Sequence, residues 1–215
     1  KSRFYKTAEE DKGAFAEREC SRLERLIKAA RSNCNAKLVL CNYAEDNDMV
    51  MGNFGYACAG SLVVQLNKLN GLVSERIYQR RDAYPVDINS LVNRYGRENV
   101  KDERLYYLSK TIFQLDFLPM VAAGISDVIQ AAVGKLKKCV VVDLDNTLWG
   151  GIVGDDGIEN IQIGEYGIGA AYTDFQRWIK QLVARGIILA VCSKNDYDKA
   201  AEPFEKHPDM ILRME

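Results

Sequence analysis

Histidine is nearly missing from this chain: His207 is the single one among 215 residues. The six cysteines, Cys20, Cys34, Cys41, Cys58, Cys139 and Cys192, are scattered and no two form a Cys-x-x-Cys pair. Zinc-site spacing is therefore absent. Free thiols of a reducing cytoplasm are the expected state, most of them as small core residues. No block of like charge stands out, and net charge is -1. That removes the electrostatic footprint of a nucleic-acid or anionic-membrane surface, so neither partner is expected. No apolar run reads as membrane-spanning and no signal peptide is visible, which supports a cytoplasmic expectation. Internal repeats and low-complexity tracts are also lacking.

What remains is ordinary globular material, 47% hydrophobic and 27% charged, enough to bury a core in one large or two small domains. Residues 8–32 read as a helix with Leu23, Leu26, Ile27 and Ala30 as its stripe. Residues 37–41 read as a buried strand, followed by a long polar loop from Asn42 to Gly60. In that loop Asn53, Phe54 and Tyr56 are candidates for substrate contact, with a plain surface loop the simpler expectation. Ser61 is a candidate cap for a helix whose stripe is Leu62, Leu66, Leu69, Val73 and Ile77. Residues 84–88 are a weaker strand, residues 89–95 a short helix stopped by Gly96, and residues 117–135 a longer helix. The run from Gly134 to Lys138 marks a boundary between domains at 1–136 and 137–215.

The second part has the clearer pattern. Cys139-Val140-Val141-Val142 reads as a buried strand and Ile187–Cys192 as another. Between them Phe175, Trp178, Ile179, Leu182 and Val183 outline an amphipathic helix ending at Arg185-Gly186. Strand, helix, strand is a βαβ unit, which makes the strands parallel and sets their carboxyl ends side by side on the edge where open α/β sheets bind ligands.

Those two ends carry Asp143-Leu144-Asp145-Asn146-Thr147-Leu148 and Ser193-Lys194-Asn195-Asp196. A carboxylate such as Asp143 can attack phosphorus as a covalent nucleophile, and one two residues on, Asp145, can protonate a leaving group and later activate water. Attack on a phosphate dianion by a carboxylate needs a cation to offset repulsion, and Mg2+ suits oxygen ligands. Ser193 offers a hydroxyl to a phosphate oxygen, with Lys194 or Asn195 assisting. An acidic pair after a strand is usually a solvated turn. Here the whole string and a hydroxyl after the next parallel strand favour chemistry.

This string resembles the first motif of the haloacid-dehalogenase (HAD) superfamily, and Ser193 its second. Asp145-Asn146-Thr147-Leu148-Trp149-Gly150-Gly151, Gly154-Asp155-Asp156-Gly157, Ala190–Asp196 and Phe204 with His207-Pro208-Asp209-Met210 resemble its FkbH-like branch, subfamily IIIC. The fold implied is α/β, a partial Rossmann-like HAD parallel sheet, preceded by a partial SGNH-hydrolase- or flavodoxin-like α/β domain.

The resemblance implies a Mg2+-dependent phosphatase or phosphotransferase acting through an aspartyl-phosphate at Asp143. Asp145 is its acid/base, Ser193, Lys194 and Asn195 bind phosphate, Thr147 supports the turn, and Asp143 and Asp145 hold the metal, the latter through its main chain. It further implies glyceryl transfer from 1,3-bisphosphoglycerate to an acyl carrier protein. The substrate is then an acyl phosphate or other phosphorylated small molecule. Cys192 is a candidate acyl-accepting thiol, with a small buried strand residue as the competing reading. The span Gly150–Gly164 leaves room for a small hairpin flap only, with Asp155-Asp156-Gly157 as its turn. The resemblance also implies a later lysine and acidic metal ligands beyond Glu215, so the chain as given is expected to turn over poorly or not at all.

Residues 1–136 resemble the preceding domain through Leu38–Tyr43, Leu66–Asn70 and Asp102–Tyr107. A glycine-flanked nucleophilic serine is lacking, and Leu105 stands where an Asp-x-x-His pair starting at Asp102 would need histidine. A docking or scaffold role is therefore expected. Two rivals remain: a non-catalytic interaction module with a vestigial site in a biosynthetic or surface-polymer pathway, and a phospho-acceptor receiver domain. His207 is expected at a helix end before Pro208, and Trp149 against the flap, with contact to substrate as its other reading.

Overall fold

A computed structural model describes residues 1–214. The chain divides into two compact units, one of Lys1–Lys135 and one beginning at Leu136. Each is α/β with one short parallel sheet.

In the first unit a short helix α1 (Ser2–Tyr5) and a 3-10 turn (Glu9–Ala14) lead into α2 (Phe15–Asn33). Ala16, Cys20 and Leu23 are buried, and Ile27 packs beside them. This arc advances by four, three and four residues, the pitch of one helix face. Leu26, expected on the stripe, lies off that arc and is exposed. Strand β1 (Val39–Cys41) pairs in parallel with β2 (Tyr84–Val86), Leu40 opposite Pro85. Among the described residues β2 pairs only with β1, so the missing N–H of Pro85 is tolerated on its other edge. Between the strands runs α3 (Leu62–Val73), continued by a π turn (Ser74–Tyr78). Ser61 caps it as expected: its Oγ accepts the Val64 N–H and donates to the Gly55 carbonyl at 2.6 Å. Leu62, Leu69, Val73 and Ile77 are buried.

Helices α4 (Ile88–Tyr95), α5 (Glu103–Ser109) and α6 (Leu118–Ala132) complete the unit. Gly96, at φ 94°, ends α4. Asp102 proves to be the cap of α5, accepting the N–H groups of Arg104 and Leu105. The segment Leu115–Ala132 is long and apolar enough to cross a membrane by length and composition alone, which the sequence reading did not register. In the fold Met120, Val121, Ile125 and Val128 of this helix pack against the Val86, Val92 and Phe117 cluster. The loop from Asn42 contains a 3-10 turn (Gly52–Ala57) and leaves Phe54 and Tyr56 exposed.

The second unit opens with β3 (Cys139–Val142). A one-turn helix α7 (Val153–Asp156), the long helix α8 (Gly169–Ala184), strand β4 (Ile188–Val191) and helix α9 (Tyr197–Lys206) follow. The two strands are parallel, Val142 opposite Val191, as the βαβ reading requires. Val140, Val142 and Leu189 turn to a core of Leu144, Leu148, Trp149, Ile179 and Phe204. Val141 and Ile188 point the other way and are 62% and 65% exposed. The strands are therefore covered on one face among the described residues, not on both as expected.

Helix α8 also corrects its expected stripe. The buried positions are Gly169, Thr173, Gln176 and Ile179, while Trp178 and Val183 are exposed. Trp178 instead stacks on Phe175 at 5.9 Å. Gly186, at φ 87°, closes the helix as anticipated. His207 is the residue that ends α9, and its Nδ1 accepts the Asp209 N–H.

Candidate functional site

The carboxyl ends of β3 and β4 meet through side chains. Asn195, just past β4, donates its amide to Asp145 Oδ2 at 2.7 Å. The Asn195 N–H in turn donates to Ser193 Oγ at 3.1 Å. The two segments singled out in the sequence thus share one hydrogen-bonded edge, held by the parallel pairing behind them.

A tight turn places the first segment. Thr147 and Leu148 both donate their N–H groups to the Leu144 carbonyl. Asn146 sits at φ 55°, a left-handed conformation that asparagine tolerates better than most residues. Its Oδ1 accepts the Gly151 N–H at 3.0 Å. Leu144, Leu148 and Trp149 are wholly buried, and Trp149 meets Phe204 edge-on at 5.8 Å. Apolar residues therefore anchor the turn from below while its polar members face the edge.

The following loop returns at once. Gly150 and Gln162 exchange both backbone hydrogen bonds, closing a small flap of the expected size. The expected hairpin turn at Asp155-Asp156-Gly157 is instead the end of α7. There Asp156 Oδ2 accepts the Ile152 N–H at 2.8 Å, a local bond that suits a helical start.

Asp145 is the most constrained member. Its Oδ1 accepts the Trp149 indole N–H and the Val153 main-chain N–H, each at 3.0 Å, and Oδ2 accepts Asn195. Partial burial pushes this carboxyl up, but the bonds from Val153, Asn195 and Trp149 outweigh it and hold the acid below its usual range. Asp143, by contrast, is exposed, and its Oδ1 accepts only the adjacent Leu144 N–H. Lys194 and Cys192 are exposed and Ser193 is half-buried. Cys192 thereby departs from the reading as a small buried residue, and its N–H extends the ladder to the Val142 carbonyl. An apolar groove of about 420 Å³ opens beside Ser193 and Asn195, lined also by Leu189, Val191, Tyr197 and Phe204.

Among the described residues no cluster of three or more His, Cys, Asp or Glu side chains could hold a metal ion. The exposed Asp143 carboxylate and the main-chain carbonyl of Asp145 are hard oxygen donors of the kind Mg2+ takes, with waters filling its other positions. The Asp145 side chain is already occupied by three donors. Sequence reasoning had not found the indole of Trp149, the N–H of Val153 or the turn-forming Asn146 as site members. Only the asparagine, a residue type prone to left-handed turns, carried a signal that could have exposed its role.

Residues 1–130 match the family described as FkbH, N-terminal domain. A solved structure with 37% sequence identity superposes with a TM-score of 0.90, covering 99% of this chain and 56% of that one. It is the crystal structure of the N-terminal part of the protein BF1531 from Bacteroides fragilis, containing a phosphatase domain and complexed with Mg. A search of curated proteins returned no match. The chain thus spans little more than half the length of that relative.

Proposed function

The chain belongs to the FkbH family, and from that premise we propose that it carries the nucleophile half of a Mg2+-dependent, HAD-type phosphoryl-transfer site. The observation behind this reading is the 2.7 Å bond between Asn195 and Asp145. It brings the Asp-x-Asp segment and the Ser193 segment to a single sheet edge. The Mg of the Bacteroides fragilis structure and its phosphatase domain support the same reading.

Asp143, exposed and lightly held, is the group free to attack phosphorus; an Oδ–P bond forms as the bond to the leaving oxygen breaks. Asp145 in its protonated form gives that oxygen a proton and, left as a carboxylate, takes one from the water that attacks the aspartyl-phosphate. Its three donors favour the ionised form, which is the form this second step needs. Ser193 and Lys194 present a hydroxyl and an ammonium to the phosphoryl oxygens. Mg2+, held by Asp143 and the Asp145 carbonyl, supplies charge neutralisation. The small flap, bounded by Gly150 and Gln162, leaves room for a bulky substrate. That fits the finer reading, in which the substrate is 1,3-bisphosphoglycerate: a thiolate, with the exposed Cys192 as the candidate, attacks the acyl carbon as phosphate leaves C1, the glyceryl unit then passes to an acyl carrier protein thiol, and Asp143 acts on the remaining phosphate ester.

In the full-length protein, Asp143→Asn should reduce Mg2+-dependent phosphate release from acetyl phosphate by about 10³-fold or more. Undiminished release would overturn the mechanism. A second reading is a non-catalytic interaction module with a vestigial site. Failure of beryllium fluoride with Mg2+ to bind at Asp143, followed by NMR, would favour that reading instead.

A further inference from the structure

We propose that Trp149 and Asn195 are positioning residues that clamp the Asp145 carboxylate, and that Asn195 therefore acts through Asp145 rather than on the phosphoryl group. The inference rests on the phosphoryl-transfer reading for its catalytic meaning, and on geometry for the clamp itself.

Three donors reach Asp145 from three parts of the unit. The Trp149 indole comes from the turn, the Val153 N–H from the start of α7, and the Asn195 amide from beyond β4. Oδ1 thereby accepts two bonds and Oδ2 one, which resists rotation about the Cβ–Cγ bond and leaves a lone pair on Oδ2 for the proton. Trp149 is wholly buried, locked by Leu144, Leu148 and Phe204 around it, so its N–H is a rigid donor. Asn195 is fixed at its other end, since its own N–H is held by Ser193 Oγ. One amide N–H is directed at Asp145, which fixes the side chain's orientation and leaves only the second N–H for a phosphate oxygen. A carboxylate that must give and take a proton at one oxygen gains from such a fixed orientation, because proton transfer depends steeply on distance and angle. Residues that orient a reacting group are commonly worth 10–100-fold in activity.

The clamp predicts a non-additive pattern. In the full-length protein, Asn195→Ala and Trp149→Phe should each lower kcat for acetyl phosphate by about 10–100-fold, with KM changed less than about threefold. In a background of Asp145→Asn, Asn195→Ala should then cost almost nothing more. A rise in KM as the main effect of Asn195→Ala, or a full second loss in the double variant, would overturn the clamp and make Asn195 a phosphate ligand.

A readout independent of turnover comes from the chain having just two tryptophans. Asp145→Ala should shift the Trp149 indole N–H resonance and speed its exchange with solvent, leaving Trp178 unchanged. An unmoved Trp149 signal refutes the bond even if Trp149→Phe fails to fold. Loss of the bond with Asp143→Asn still inactive would sink the clamp alone. Activity surviving Asp143→Asn would sink the reading it rests on.

Discussion

Gln176 is wholly buried in the middle of α8, where its side chain makes four contacts. Its amide donates to the Leu148 carbonyl and to the Met210 sulfur, and its Oε1 accepts the N–H groups of Ile211 and Leu212. It thus ties the turn after Asp145 to the segment beyond α9. Gln65 does the same in the first unit, accepting the Ala16 N–H and donating to the carbonyls of Gly13 and Ala59. An apolar replacement leaves main-chain groups unpaired in the core, each worth about 1–3 kcal/mol. Gln176→Leu should therefore destabilise the second unit by about 3 kcal/mol, read as a lower urea midpoint at unchanged slope. An unchanged midpoint would show that water replaces the amide. Gly151 is a second such position. At φ 96°, an added Cβ would stand 2.8 Å from Asp156 Oδ2. Gly151→Ala should cost about 1–3 kcal/mol through strain alone and weaken the flap. Neither residue could be weighted correctly from the sequence. A glutamine between Phe175 and Arg177 reads as part of a helix's polar face, and only the contacts show that it points inward.

Helices and strands differ in how much of them local pattern decided. Caps and stops follow short-range chemistry, so Ser61, Gly96 and Gly186 act where their residue types say they should. Ser61→Ala removes both the Val64 bond and the Gly55 bond. It should lower stability by about 1–2 kcal/mol in a chemical-denaturation measurement. Faces are a different matter. Trp178 is apolar and in phase with Phe175 and Leu182, yet 54% exposed. Along α8 the buried line instead passes through Thr173, whose hydroxyl holds both main-chain groups of Gly164, and Gln176. Periodicity finds a stripe, but which of two adjacent stripes meets the core depends on the neighbouring segment, here the returning flap.

On the scale of the whole molecule, the chain divides between Lys135 and Leu136 into two units with separate cores. Residues 134–138 are exposed and contain Lys135, Lys137 and Lys138. Limited trypsin digestion should cut there first and release two fragments near the masses of the units, checked by mass spectrometry. Early cleavage inside α3 or α8 would contradict two compact units. The amino-acid sequence by itself determined the strand–helix–strand order, the parallel pairing of β3 with β4, the cap at Ser61 and the stops at Gly96 and Gly186, and the acidic pair with a hydroxyl segment after the next strand. These follow from residue type and chain direction, which act over a few positions or through the chirality of a crossover. Tertiary structure alone decided that Asn195 turns to Asp145, that the Trp149 indole reaches back to the same carboxylate, and that one face of β3 and β4 stays open among the described residues. Those outcomes depend on which groups come within about 3 Å once distant segments pack. No pattern along the chain encodes that distance.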